Sequence, residues 1–422
     1  MTGPEHLVVV GQGYVGLPLA MRAVAVGMRV TGIDLDAQRI AGLAAGTSHV
    51  EDITDDELAA ALATGRYLPT TDPADVAGFD VAVISVPTPL ADGVPDLGAV
   101  EAASAMLASH MRPGVCVVLE STTYPGTTTE LVAPILEEAS GLVAGVDFDL
   151  GYSPERIDPG NPTHGLVETP KVVSGVTPAS LDRVQGFYDR IVDETVPVAD
   201  TGTAELTKLL ENTFRHVNIA LVNELAVFAN ELGIDVWAAV DAAATKPFGY
   251  MPFRPGPGVG GHCLPIDPSY LSWKVKRSTG RDFRFVELAN EVNEQMPRYV
   301  VDRALARLER DGVPAAGATV ALLGMSYKRN TGDARETPSI PIAEGLAGAG
   351  VRVLACDPHV DPASLPATVE PATCTPDVLA SADLVVLLVD HDAFDAAEIV
   401  RHARAVLDTR RWLPEAPSVE AL

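Results

Sequence analysis

The sequence predicts an α/β protein in which two doubly wound parallel sheets are joined by a central helical block with one long helix. Three observations carry that prediction. Short apolar runs alternate with amphipathic stretches at both ends of the chain, the order that gives parallel sheets covered by helices on both faces. An uninterrupted helical pattern fills the middle. Three apolar runs near the C-terminus end, in order, as three runs near the N-terminus do.

Each element follows from local pattern. His6–Val10 is the first strand, and Gly11-Gln12-Gly13-Tyr14-Val15-Gly16 follows it at once. The run 17–26 reads as a helix, Arg29–Ile33 as the next strand, and 79–86 and 115–120 as two more. In the middle, Leu206, Leu209, Leu210, Phe214, Val217 and Leu221 fall at helical spacing within 203–232. That stretch is free of Gly and Pro and predicts a helix of about 30 residues. A Gly/Pro-rich loop over 247–268 follows. A second helical stretch, 285–310, closes the block, with Pro297 as the expected kink. Near the C-terminus, 318–323 then Gly324 parallels His6–Val10 then Gly11. Likewise 351–356 then Asp357 parallels Arg29–Ile33 then Asp34, and 383–389 parallels 80–86. The pattern predicts two related nucleotide-binding folds and domain spans of 1–200, 201–300 and 301–422.

Composition bounds the function. The 422 residues carry 30 Lys+Arg against 57 Asp+Glu, a formal net charge of −27. Such a balance argues against a nucleic-acid partner, whose affinity rests on Lys and Arg at phosphates. A small anionic ligand held by a few local cations remains compatible with it. At 47% hydrophobic and 21% charged residues, the chain reads as globular and not disordered. Its longest apolar runs, such as 384–389, fall far short of the ~20 residues of a membrane span, and the N-terminus lacks a basic n-region. No membrane partner is expected. Cys116, Cys263, Cys356 and Cys374 form no CxxC pair and no zinc spacing, so no metal is expected and a cytoplasmic location is.

The GxGxxG of Gly11–Gly16 gains force from its setting between a strand and a helix. Gly11 permits the tight turn, Gly13 lets backbone approach a pyrophosphate, and Gly16 lets helix and sheet pack closely. The helix N-terminus offers free N–H groups and a partial positive charge. Asp34, ending the next strand, would accept hydrogen bonds from an adenosine ribose and repel a 2′-phosphate. This Rossmann-like start therefore favours NAD over NADP; the bland alternative is a glycine turn without a cofactor.

A second segment, Gly256-Pro257-Gly258-Val259-Gly260-Gly261-His262-Cys263-Leu264-Pro265-Ile266-Asp267, places a cysteine in a loop where no core needs it. Cys263 reads either as a nucleophile, which must attack as a thiolate, or as a structural thiol. Lys208 and Asn212, at i and i+4 on the long helix, share a face. They read as an oxyanion-stabilising and water-positioning pair or as a solvated stripe. Glu155, in Ser153-Pro154-Glu155-Arg156, and the run Glu120-Ser121-Thr122-Thr123 follow strand-like segments. They are active-site groups or turn and cap residues.

With these residues in view, the chain resembles the nucleotide-sugar 6-dehydrogenases, the UDP-glucose / UDP-N-acetylhexosamine dehydrogenase superfamily. The resemblance runs from about His6 to Trp412. Linked motifs carry it: GQGYVGLPLA at 11–20, VPTPL at 86–90, ESTTYPGTT at 120–128, SPERIDPGN at 153–161, ELTKLLENTFRHVNIALVNELA at 205–226, GPGVGGHCLPIDP at 256–268 and MSYKRNTGDARETPS at 325–339. It implies an N-terminal NAD-binding Rossmann-like domain, a central helical domain carrying a homodimer interface, and a C-terminal domain binding the nucleotide diphosphate. It also implies a four-electron oxidation of a nucleotide-diphosphate sugar, CH₂OH at C6 to carboxylate, through a Cys263 thiohemiacetal and thioester. Matching positions assign Lys208 to the oxyanion, Asn212 and Asp267 to water, and Thr122 and Glu155 to water order and proton transfer. For NAD they are Gly11, Gly13, Tyr14, Val15, Gly16, Asp34, Arg39, Thr88, Thr122 and Arg335. For the substrate they are Glu155, Arg156, Lys208, Asn212, Arg254, Gly260 and Lys328.

Three positions depart from the patterns of single branches. Pro159 stands where many UDP-glucose members carry a second glutamate, which looks more like the N-acetylhexosamine branch. Arg254 stands where that branch usually has an aromatic residue. Ile266 replaces a lysine that some UDP-glucose members place between Cys and Asp. Glucose, N-acetylglucosamine, N-acetylmannosamine and a thymidine-linked hexose of a natural-product pathway therefore stay open. A two-electron alcohol dehydrogenase or epimerase is a rival reading, but it has no use for Cys263, and no convincing YxxxK pair follows the Rossmann-like strands. A NAD-sensing scaffold would be marked by lost catalytic residues, and those are present.

Overall fold

A computed structural model describes residues 4–91, 93–157, 164–261 and 263–422; the side chains of Cys263 and Pro265 are also outside the described set. Pro159, Asn161 and His262, named above, lie outside it too. The described residues divide into two compact units, Met1–Glu211 with Trp273–Thr279 and Asn212–Ser272 with Gly280–Leu422.

In the first unit, among the described residues, β1 (His6–Val10), β2 (Arg29–Ile33), β3 (Tyr67–Thr70), β4 (Val81–Ile84), β5 (Cys116–Leu119), β6 (Asp149–Tyr152), β7 (Lys171–Gly175) and β8 (Thr195–Pro197) form one sheet. Its spatial order is 8-7-6-5-4-1-2-3. Strands β1 to β6 run parallel, β7 runs antiparallel to β6, and β8 parallels β7. β1, β4 and β5 are buried along their whole length, as strands covered on both faces must be. Helix α1 (Gly16–Ala25) buries Leu17, Ala20 and Val24 against Leu7, Val9, Val30 and Val83. Helix α2 (Pro178–Tyr188), capped by Thr177, sends Val184, Phe187 and Tyr188 into the same core.

In the second unit, β9 (Thr319–Leu323), β10 (Arg352–Cys356), β11 (Glu370–Ala372), β12 (Leu384–Leu387), β13 (Val406–Asp408) and β14 (Val419–Ala421) form an all-parallel sheet in the order 11-10-9-12-13-14. Strand for strand, this is the 3-2-1-4-5-6 order of the first sheet. The two doubly wound sheets expected from the repeated strand ends are present.

The long helix is there as well. Helix α3 (Thr201–Glu231) runs 31 residues, close to the expected 203–232. Helix α5 (Arg284–Arg310) continues across Pro297, which is buried within it. One local expectation needs correction. The loop expected over 247–268 ends early, because Cys263 is the first residue of α4 (Cys263–Thr279). Prolines at 265 and 268 suggested a break. A helix's first turn has no intrahelical partner for its N–H groups, so Pro265 forfeits nothing there, and Pro268 forfeits one rung.

Candidate active site

The glycine turn of the first unit has the geometry its sequence demands. Gly11 has φ +94°, donates its N–H to the Ile33 carbonyl at 2.8 Å, and lies where a Cβ would collide with the Ser85 carbonyl oxygen. A Cβ on Gly16 would collide with the Gly11 carbonyl oxygen, so this glycine lets α1 close on the turn. A Cβ on Gly13 would meet nothing within 4 Å, which leaves the approach over the turn open. Val15 precedes α1 without a side-chain cap, so no side chain there takes up the helix's first N–H groups. Sequence reasoning passed over Gln12. Its buried amide donates to the Val9 and Gly11 carbonyls and accepts from the Tyr67 hydroxyl at 2.7 Å, bracing the turn from beneath.

Asp34 accepts hydrogen bonds from the Gln12 and Asp36 backbone N–H groups at 2.8 and 2.9 Å and pairs with Arg39 at 2.8 Å. Burial opposes its ionisation, but those N–H groups and the guanidinium outweigh it and hold its carboxyl below the usual value. Thr88 is buried beyond β4, and Thr122 is half-buried beyond β5. Ser121 ties those two loops together, accepting from Val86 N–H at 2.9 Å and donating to the Val86 carbonyl at 2.8 Å. Tyr14, partly buried, packs against the hydrophobic core of this unit. The NAD-assigned residues of this unit thus gather at the carboxyl ends of β1, β2, β4 and β5. The strand order reverses between β1 and β4, and such switch points are where open α/β sheets bind ligands.

A buried charge cluster forms the other half of the unit. Lys208, from α3, donates to the Glu155 carbonyl at 2.6 Å. The Glu155 carboxylate accepts from the Arg156 and Ile157 backbone N–H groups at 2.6 and 2.7 Å and pairs with Lys171 at 2.9 Å. Lys171 also pairs with Glu120 at 2.7 Å, and the Tyr188 hydroxyl donates to the same Glu120 oxygen at 2.6 Å. Burial raises the Glu120 carboxyl above its usual value. Burial pushes Glu155 the same way, but Lys171, the Ile157 N–H and Lys208 outweigh it and lower it. Arg156 bridges Glu211 at 2.6 Å and the Pro170 carbonyl at 2.6 Å. Sequence reasoning missed Lys171, which sits on a strand among apolar residues with no motif to mark it.

In the second unit, Asn212 donates to the buried Asp267 carboxylate at 2.5 Å. The glycine-rich segment is anchored at both ends. Gly256 N–H donates to Asn223 Oδ1 at 2.9 Å, and Asn223 in turn donates to Asn293 of α5 at 2.9 Å. Gly261, at φ +80°, donates to the Arg335 carbonyl at 3.2 Å, and a Cβ there would press on the Tyr327 ring. Gly260 leaves no room either, since a Cβ would sit 2.8 Å from the Glu336 carbonyl oxygen. Lys328 lies in the same loop, where its carbonyl accepts from Ser326 at 2.8 Å. The Arg335 guanidinium bonds Asp333 at 2.5 Å. Arg254 pairs with Asp241 at 2.6 Å, both half-exposed, and lies over the Trp237 ring.

Geometry therefore joins Glu155 to Lys208 in one unit and Asn212 to Asp267 in the other. Among the described residues, no group of three or more His, Cys, Asp or Glu could hold a metal ion, and no helix is long and apolar enough to cross a membrane.

Comparison with known proteins covers nearly the whole chain. Residues 5–192 match the NAD binding domain of the UDP-glucose/GDP-mannose dehydrogenase family, 202–295 its central domain, and 321–415 its UDP binding domain. A UDP-N-acetyl-D-mannosamine dehydrogenase of Pyrococcus horikoshii is 34% identical over 98% of this chain and 97% of its own. A UDP-N-acetyl-D-glucosamine 6-dehydrogenase of Pseudomonas aeruginosa is 38% identical over 83% of this chain and 82% of its own. Among solved structures, a UDP-D-ManNAc dehydrogenase from Pyrococcus horikoshii matches with a TM-score of 0.89 at 33% identity, covering 99% of this chain and 98% of that one.

Proposed function

The chain belongs to the UDP-glucose/GDP-mannose dehydrogenase family, an NAD-dependent family of oxidoreductases acting on CH–OH groups. From that premise we propose that it oxidises C6 of a UDP-N-acetylhexosamine to the carboxylate, removing four electrons per sugar. The naming of its relatives as UDP-N-acetyl-D-mannosamine and UDP-N-acetyl-D-glucosamine dehydrogenases carries this reading. The domain division proposed is 1–200 for NAD, 201–300 for the central helices and 301–422 for the UDP moiety.

The residues present fit NAD. The space over Gly13 admits a pyrophosphate, the uncapped start of α1 offers N–H groups to it, and Asp34 faces a ribose. Tyr14, Arg39, Thr88, Thr122 and Arg335 complete the proposed contacts. Bound there, NAD supplies hydride acceptance, twice per sugar.

The protein's own chemistry is assigned to six side chains. Lys208 stabilises the alkoxide and later the oxyanion at C6. Cys263 adds as a thiolate to the aldehyde, and its position as the first residue of α4 suits an anion, because a helix N-terminus favours negative charge. Oxidation of the thiohemiacetal leaves a thioester, which water hydrolyses. Asn212 and Asp267, already hydrogen-bonded, hold that water; Thr122 and Glu155 order it and accept its proton. Arg156, Arg254, Gly260 and Lys328 are assigned to the nucleotide sugar. A homodimer is proposed on the exposed apolar residues Phe214, Leu221, Leu225 and Phe228 of α3, since monomers rarely leave such a face uncovered. A cytoplasmic location suits Cys116, Cys356 and Cys374, which stand as free thiols.

Assays of NADH formation with UDP-N-acetylmannosamine, UDP-N-acetylglucosamine, UDP-glucose and dTDP-glucose test the substrate. The highest kcat/KM is expected on one of the two N-acetylated sugars. A preference for dTDP-glucose or UDP-glucose would move the chain to another branch.

A further inference from the structure

The buried cluster around Glu155 contains two ionisable groups that the mechanism above leaves unused, Glu120 and Lys171. Both are almost wholly inaccessible, at 2% and 3% exposure. Ions so placed are costly unless paired, and replacing them with apolar residues often stabilises a protein. Their pairing is unequal. The Lys171 ammonium lies 2.7 Å from Glu120 and 2.9 Å from Glu155 and also reaches the Pro154 carbonyl at 3.4 Å. Glu155 adds two backbone N–H donors, and the Lys208 ammonium stands at its own carbonyl. Glu120 adds only the Tyr188 hydroxyl, and its second oxygen finds no hydrogen-bond partner among the described residues.

Lys171 thus serves two carboxylates, and the carboxylate with fewer donors and no second cation is the one that gives way. We propose that Lys171 is a positioning residue for Glu155, and that Glu120 takes up the first proton offered to the pair so that Glu155 stays ionised. The inference rests on the proposed role of Glu155 in proton transfer. Lys171 keeps its own proton throughout. A proton accepted by Glu155 from water or a substrate hydroxyl returns to solvent, and while Glu155 holds it Lys171 is left to Glu120 alone. Charged and titratable groups face the pair from each element packed there: Lys171 on β7, Lys208 on α3, Tyr188 on α2, and Glu120 and Glu155 beyond β5 and β6.

The test titrates the full chain with ¹³C-labelled glutamate carboxyls, assigning Glu120 and Glu155 by the signals lost in Glu120→Gln and Glu155→Gln. Glu120→Gln should remove the higher of the two midpoints. Glu155→Gln should lower the Glu120 midpoint by about a unit or more, because Lys171 then has one partner. Lys171→Met should raise both midpoints, and Lys171→Arg should leave them near their original places. In turnover with UDP-N-acetylmannosamine and NAD, Lys171→Met should lose about 100-fold in kcat with little change in KM and move the acid limb to higher pH, with Lys171→Arg restoring most of the rate. A Glu120 midpoint unmoved by Glu155→Gln, or a higher midpoint that belongs to Glu155, would overturn the proposal. If Lys171→Met does not fold, those two glutamine variants and Lys171→Arg decide it. Full activity in Glu155→Gln would sink the assigned role of Glu155 without touching the coupling. An inactive Glu155→Gln with uncoupled midpoints would sink only the coupling.

Discussion

The two parallel sheets share a frame down to single hydrogen bonds, and they part where a ligand would sit. In the first, Gly11 N–H reaches the Ile33 carbonyl at 2.8 Å; in the second, Gly324 N–H reaches the Cys356 carbonyl at 2.9 Å. His6 N–H bonds Asp80 at 2.9 Å, and Thr319 N–H bonds Asp383 at 2.9 Å. Each second strand ends in an aspartate that accepts from the glycine turn, Asp34 from Gln12 N–H and Asp357 from Met325 N–H. Beyond that point the sheets diverge. Ser326 and Arg329 stand where the first turn has Gly13 and Gly16. Asp357 is sealed by the buried His391 ring at 3.1 Å and left 2% exposed, while Asp34 has the half-exposed Arg39 as its side-chain partner and keeps 9%. The shared acid is therefore a brace for the turn in both folds, and it is the less enclosed of the two in the first.

That contrast can be broken at its strongest point first. Asp357→Ala strands several backbone N–H donors and His391, so it should cost about 3 kcal/mol or more of stability, read in denaturant unfolding, with NAD affinity unchanged in whatever folds. Asp34→Ala should instead raise the KM for NAD about 10- to 100-fold. Equal effects on NAD from both would erase the distinction.

Glycine substitutions sharpen the contrast further. Gly324→Ala meets a φ of +92° and collides with Val389, so it should destabilise by about 2 kcal/mol. Gly13→Ala meets open space and should leave the melting temperature within about 2 °C, yet raise the KM for NAD about tenfold.

The smallest effect is in acid. Burial works against ionisation of both aspartates, but their hydrogen bonds prevail and hold both carboxyls below the usual value. Each therefore contributes stability that is fully present above its unfolded pKa and is lost as pH falls through its folded one. Asp357→Asn should flatten the loss of stability below about pH 4 more than Asp34→Asn does, because Asp357 is the more deeply held.

Much of this was legible in the sequence because it is local. The turn of Gly11–Gly16, Asp34 and the uninterrupted helix are each written in one short stretch with one period. Pairings made through folding were not legible. Lys171 meets Glu155 from 16 residues away, Tyr188 meets Glu120 from 68, and His391 seals Asp357 from 34. None of those separations carries a spacing rule. The start of α4 was misread for a different reason: proline reads as a helix breaker, and a helix's first turn is where it breaks nothing.

The proposed four-electron oxidation has a direct measure, the number of NADH formed per sugar consumed. The account predicts two, with a carboxylate as the product, and net oxidation to the acid lost in Cys263→Ser. One NADH per sugar, with an aldehyde or ketone as the final product, would contradict it.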